Sequence, residues 1–175
     1  MKVIFLDFDG VINSFDSDVV SLECVEILKK IIDVSGAKIV VTSSNKYHVQ
    51  KGYIAYERSN LYNNYIKKLA SYGIEVYDYT LCINQNRELE IKQYLESHNE
   101  IEQFLILDDD YFFKEYNGYQ IFIDLGIGLG LEHYDMAVSI LNGNLKFYDI
   151  DNLELDVRKR SLRSNMKYNN TREKM

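Results

Sequence analysis

The sequence predicts an α/β protein, a doubly wound, Rossmann-like parallel sheet of five strands with helices on both faces. Two observations predict this class. Short apolar runs alternate with longer stretches of helical periodicity, the signature of strand–helix–strand units that force strands parallel. Several of those runs end in carboxylates or hydroxyls, as expected where polar side chains gather at the carboxyl edge of such a sheet. The length of 175 residues and the 46% apolar content suit one domain with a substantial core.

Each element has its own justification. Residues 2–8 form a short apolar run that meets Asp7, Asp9 and Gly10, and read as a first strand ending in a turn. From Ser21 to Val34, Leu22, Val25, Ile27, Leu28, Ile31 and Ile32 recur at helical spacing, with Ser21 as cap and Gly36 as stop. Lys38 to Val41 is a second strand running into Thr42-Ser43-Ser44-Asn45. Tyr47 to Ser71 reads as mostly helical, broken near Gly52 or Ser59-Asn60 and ended by Gly73; Ile74 to Tyr77 follows as a third strand. Arg87 to His98 is expected to be a helix with Leu89, Ile91, Tyr94 and Leu95 inward. Phe104 to Leu107 is a fourth strand, running into Asp108-Asp109-Asp110, and Tyr119 to Ile123 a fifth. Gly126, Gly128 and Gly130 turn the chain into a last helix, Leu131 to Leu141, with Asp124 expected at the site edge. The domain is drawn as residues 1–150, followed by a tail over 151–175.

Composition narrows the functional classes. The net charge is −7, but residues 156–175 hold seven Lys/Arg against two Asp/Glu, a net of +5, so residues 1–155 carry −12. So acidic a body suits general nucleic-acid binding poorly, because phosphate contacts need Lys and Arg. The run Arg158 to Arg163 is either a solvated terminus or a contact for an acidic partner. No apolar stretch reaches membrane-spanning length, and no signal-peptide pattern precedes Asp7, so a cytoplasmic protein with no membrane partner is expected. Cys24 and Cys82 make neither a disulfide framework nor a zinc motif and read as packing residues. His48, His98 and His133 lack metal-ligand spacing.

The chemistry-bearing residues converge. Asp7 and Asp9 end the first strand, Thr42 and Ser43 the second, and Asp108 and Asp109 the fourth. In a parallel sheet these clusters meet on one edge. Like-charged carboxylates so close repel, and a hard divalent cation is the usual remedy, so a Mg²⁺ site is expected there.

Leu6-Asp7-Phe8-Asp9-Gly10-Val11, Val40-Val41-Thr42-Ser43 and Leu105-Ile106-Leu107-Asp108-Asp109 together resemble the haloacid dehalogenase-like (HAD) superfamily of aspartyl phosphotransferases over about residues 2–141. Asp9-Gly10-Val11-Ile12-Asn13, Ser43-Ser44-Asn45-Lys46 and Arg87-x-x-Glu90-Ile91 are similar to small HAD domains associated with nucleic-acid repair, although Asn45-Lys46 departs from the Trp-Arg of that pattern. The resemblance implies a phosphoric monoester hydrolase. Asp7 would be the nucleophile, Asp9 the general acid and base, and Thr42 or Ser43 the phosphoryl-binding hydroxyl. Mg²⁺ would be held by Asp7, Asp108, Asp109 and the backbone carbonyl of Asp9. Arg87, or else Lys92, would be the phosphate-binding cation. Little chain lies at the usual insertion points, which implies a minimal cap or none and an open site for a bulky phosphorylated substrate such as a nucleic-acid end. The alternatives are a small-metabolite (nucleotide or sugar phosphate) phosphatase and a catalytically silent HAD-fold binding module. Oligomeric state is left open.

Overall fold

The structure is a computed structural model, described at residues 1–13, 19–46, 56–124 and 126–149, with the backbone alone at residues 45 and 56–62. Strands β1 (Lys2–Leu6), β2 (Lys38–Val41), β3 (Val76–Tyr79), β4 (Gln103–Asp108) and β5 (Gln120–Phe122) form one parallel sheet in the order β3-β2-β1-β4-β5. Four α-helices connect them among the described residues: α1 (Leu22–Ser35), α2 (Tyr56–Ser71), α3 (Arg87–Ser97) and α4 (Leu131–Leu141). No described helix is long and apolar enough to cross a membrane.

Strand alternation sorts the core into two layers. Ile4, Leu6, Ile39, Val41, Leu105 and Leu107 join the buried side chains of α1, α2 and α4. Val3, Phe5, Val40 and Ile106 face the other way and bury Ile91 and Tyr94 of α3, together with Phe113. The chain runs outward from β1 to β2 and β3, then crosses back through α3 to place β4 on the other side of β1. The strand order therefore reverses between β1 and β4, where open α/β sheets form their sites.

Several expectations shift. The third strand begins at Val76, not Ile74, because residues 69–74 close α2: Gly73, at φ +69°, donates to Ala70 O, and Ile74 N donates to Leu69 O at 3.0 Å. This is a Schellman closure, in which the apolar residue after the glycine packs back on the helix; Ile74 is buried for that reason. α2 runs unbroken through Ser59-Asn60, which removes one of the two expected break points; the other, at Gly52, falls in residues 47–55, outside the described residues. Leu89 is 46% exposed rather than inward; the buried face of α3 is Arg87, Glu90, Ile91 and Tyr94. An apolar count misplaced that face because two of its members are charged. Ser21 caps α1, Gly36 ends it at φ +68°, and α4 spans the expected Leu131–Leu141. The tail, with Arg158 to Arg163, lies outside the described residues.

Candidate active site

The register sets the site. Leu6 pairs with Val41 on one side and Leu107 on the other, so the next residues, Asp7, Thr42 and Asp108, stand in a row across the three central strand ends. Asp7 N donates to Leu107 O (3.0 Å) and Thr42 N to Leu6 O (2.9 Å), extending the ladder by one step. The three continue the parity of Phe5, Val40 and Ile106, the layer covered by α3. That brings them to the first turn of α3, whose Asn86 cap is followed at once by Arg87.

Arg87 Nη1 donates to Asp7 Oδ2 at 2.5 Å and to Asp108 Oδ2 at 2.6 Å. Asp7, Asp108 and Asp109 are all buried, and each offers a carboxylate oxygen within 4.8 Å of the others. Asp108 is further held by Tyr111 N (2.7 Å) and Asp110 N (3.0 Å) on Oδ1, and the Tyr111 ring lies 5.0 Å from the Arg87 guanidinium. Gly10 makes room for the cluster. It sits at φ +73°, and a Cβ there would lie 2.0 Å from Asp109 Oδ2, so a side chain is excluded by backbone conformation and by space.

The charges do not balance. Among the described residues three carboxylates face one guanidinium, leaving two negative charges in excess when all are ionised. Burial, then the neighbouring Asp7 and Asp108 charges, push the Asp109 carboxyl up to about 8. Burial likewise pushes Asp108 up to about 7, against the opposing pull of Arg87. Burial works to discharge Arg87 too, but Asp7 and then Asp108 hold it above its ordinary value. A hard divalent cation matches both the excess charge and the all-oxygen donor set, so these residues fit Mg²⁺.

Asp9 stands apart from the acid cluster. Its Oδ1 accepts from the Tyr65 hydroxyl at 2.6 Å and from Asn13 Nδ2 at 3.3 Å. Asn13 Nδ2 also reaches the Tyr65 oxygen (3.0 Å), and Asn13 Oδ1 accepts from Gly10 N (2.9 Å). Sequence reasoning gave Asn13 no role and missed Tyr65, which comes from α2.

It also missed Lys46. That residue is 1% exposed, and its Nζ donates to Thr42 O (2.8 Å) and to Glu90 Oε2 (2.7 Å). Glu90 in turn accepts from Thr80 Oγ1 (3.3 Å) and Ile83 N (3.1 Å). Burial lowers the Lys46 pKa, an effect the Glu90 partner opposes. The spacing Arg87-x-x-Glu90 thus acquires a physical meaning. Residues three apart share a helix face, so one residue enters the acid cluster while the other anchors the helix to the ends of β2 and β3. The Lys46 ammonium stands where the repair-associated pattern carries an arginine, a signal the motif comparison already held.

Of the two second-strand hydroxyls, both are buried, and Thr42 Oγ1 is the one buried side-chain polar atom without a hydrogen-bond partner among the described residues. Lys92 is exposed on α3 and makes no described contact with the acids. Cys24 is buried within the core and Cys82 is half-buried. His133 Nδ1 accepts from Gly130 N at the start of α4, and His98 stacks on Tyr94, both local structural roles; His48 lies outside the described residues. The glycine run folds back onto the first-strand turn through Leu129 N to Val11 O (2.8 Å), while Asp124 is exposed and caps the run through Gly126 N.

A family model described as the HAD domain in Swiss Army Knife RNA repair proteins matches residues 3–135. A search among curated proteins finds no match.

Proposed function

The chain belongs to the family of HAD domains found in Swiss Army Knife RNA repair proteins, and on that premise we propose that it is a Mg²⁺-dependent phosphatase that hydrolyses a phosphate monoester on a nucleic-acid end through an aspartyl-phosphate. The observation that carries the reading is the buried cluster of Asp7, Asp108 and Asp109, bridged among the described residues by Arg87.

The chemistry follows from the residues. The Asp7 carboxylate attacks phosphorus, the bond from phosphorus to the leaving oxygen breaks, and Asp9 gives that oxygen its proton. Asp9 then takes a proton from water as the water attacks phosphorus, the Asp7–phosphorus linkage breaks, and inorganic phosphate leaves. Arg87, beside Asp7, keeps its charge throughout and grips phosphoryl oxygens in this reading. The unpartnered Thr42 hydroxyl favours Thr42 over Ser43 as a further donor to those oxygens. Mg²⁺, held by Asp7, Asp108, Asp109 and the Asp9 carbonyl, would neutralise the phosphoryl charge that otherwise repels the nucleophile.

A second reading, a small-metabolite phosphatase, is favoured by the −12 charge of residues 1–155. The test is a Mg²⁺-dependent phosphate-release panel of 3′- and 5′-phosphorylated oligonucleotides, mononucleotides and sugar phosphates, run with wild type and Asp7→Asn. The proposal expects the highest kcat/KM on an oligonucleotide end and none for Asp7→Asn. A preference for a mononucleotide or sugar phosphate supports the second reading. No turnover of any substrate leaves a binding module, whereas full turnover by Asp7→Asn overturns the nucleophile assignment.

A further inference from the structure

A proton donor must hold its carboxyl in one orientation, yet Asp9 lies past the end of β1, where no strand ladder orients it. Its orientation is supplied from a distance. The Tyr65 hydroxyl donates to Asp9 Oδ1 at 2.6 Å, and Asn13 donates to the same oxygen and to the Tyr65 oxygen. Tyr65 is itself fully buried, its ring 4.9 Å from that of Phe8, the residue between the two motif aspartates. A buried tyrosine keeps its hydroxyl only where a partner satisfies it; here the partner is Asp9. Asn13 is fixed in turn by Gly10 N (2.9 Å). The turn that aims Asp9, the side chain that braces it and the ring against which the brace packs thus form one unit.

We propose that Tyr65, backed by Asn13, is a positioning residue for Asp9. The hydrogen bonds from Tyr65 and Asn13 converge on Oδ1 and so fix the plane of the carboxyl. The inference rests on the reading of Asp9 as general acid. In the first step the Asp9 proton passes to the leaving oxygen as the bond to phosphorus breaks, leaving Asp9 a carboxylate that Tyr65 and Asn13 continue to hold.

The test compares leaving groups. An alkyl phosphate, such as a 5′-phosphorylated oligonucleotide, needs its leaving oxygen protonated, whereas 4-nitrophenolate departs without a proton. kcat/KM reports the first step alone for both. Tyr65→Phe keeps the packed ring and removes one oxygen, so the fold is retained, which a melting curve checks. We expect kcat/KM for the alkyl phosphate to fall about tenfold or more, within the range that general acid catalysis supplies, and that for 4-nitrophenyl phosphate to change less than about threefold. Asp9→Asn should show the same selectivity, more strongly. In metal-free protein labelled with ¹³C-aspartate, the Asp9 carboxylate signal, assigned by its loss in Asp9→Asn, should move in Tyr65→Phe. If Asp9→Asn is selective but Tyr65→Phe is unchanged, or falls equally on both substrates, the positioning role is overturned and the acid assignment stands. If Asp9→Asn itself shows no selectivity, the acid assignment falls and this inference falls with it.

Discussion

Two charged groups sit one turn apart on the same face of α3, and they are built on opposite principles. At Glu90 one acid meets one base, Lys46; both are buried, and the ammonium and carboxylate are further bonded to Thr42 O, Thr80 and Ile83 N. At Arg87 one base meets Asp7 and Asp108, with Asp109 beside them, and two carboxyls are pushed up to about 7 and 8. The balanced pair holds elements together. The unbalanced cluster is stable only as a compromise, which a cation would resolve. Buried charge alone does not mark a site; buried charge that its neighbours do not neutralise does.

The largest effect should come from unbalancing the balanced pair. Lys46→Met strands the Glu90 carboxylate in the core and should cost about 3–5 kcal/mol in chemical denaturation. Adding Glu90→Gln should recover about 1–3 kcal/mol of that, since the two sites are coupled. Strict additivity of the two substitutions would mean that the pair does not act as a unit.

Next is Gly10→Ala. The left-handed backbone alone costs about 1–2 kcal/mol, and the methyl group must also displace Asp109. Stability should fall and Mg²⁺ affinity with it; unchanged Mg²⁺ affinity would separate Gly10 from the cluster.

A smaller effect, of distinctive sign, concerns pH. Asp108 and Asp109 hold protons more tightly folded than unfolded, so their contribution is fully present below the ordinary carboxylate value, about 4, and is lost as pH rises towards 7 to 8. Metal-free protein should therefore lose stability from these groups across that window, and Asp109→Asn should flatten the slope. A steeper fall in Asp109→Asn would reverse the assignment.

The smallest effect is expected at Leu89. Half-exposed on α3, it should tolerate Leu89→Gln within about 0.5 kcal/mol, whereas Ile91→Ala, in the core beneath it, should cost about 2–5 kcal/mol.

What could be read from the sequence divides along similar lines. Asp7, Asp9, Thr42, Asp108, Asp109 and Arg87 were legible because each sits at an element boundary with a local signal, a strand end or a helix cap. Tyr65 was not, because its partner lies 56 residues away, and Lys46, although the repair-associated pattern carries a cation at its position, had no readable role because its partner lies 44 residues away. Ile74 looked like a strand residue because an apolar side chain that closes a helix is indistinguishable, by composition, from one that starts a strand. Leu89 looked like core because the true inward stripe contains Arg87 and Glu90, and apolar periodicity cannot register charges buried for a purpose.

The central claim, that the Arg87 cluster is left unbalanced for a divalent cation while the Lys46 pair is complete, is tested most directly by calorimetric titration of Mg²⁺. Wild type should bind one Mg²⁺ per chain. Asp109→Asn should bind it about tenfold more weakly or worse, and the Lys46→Met/Glu90→Gln double variant should stay within about threefold of wild type. Unchanged affinity in Asp109→Asn, or no Mg²⁺ binding by the wild-type protein, would contradict the account.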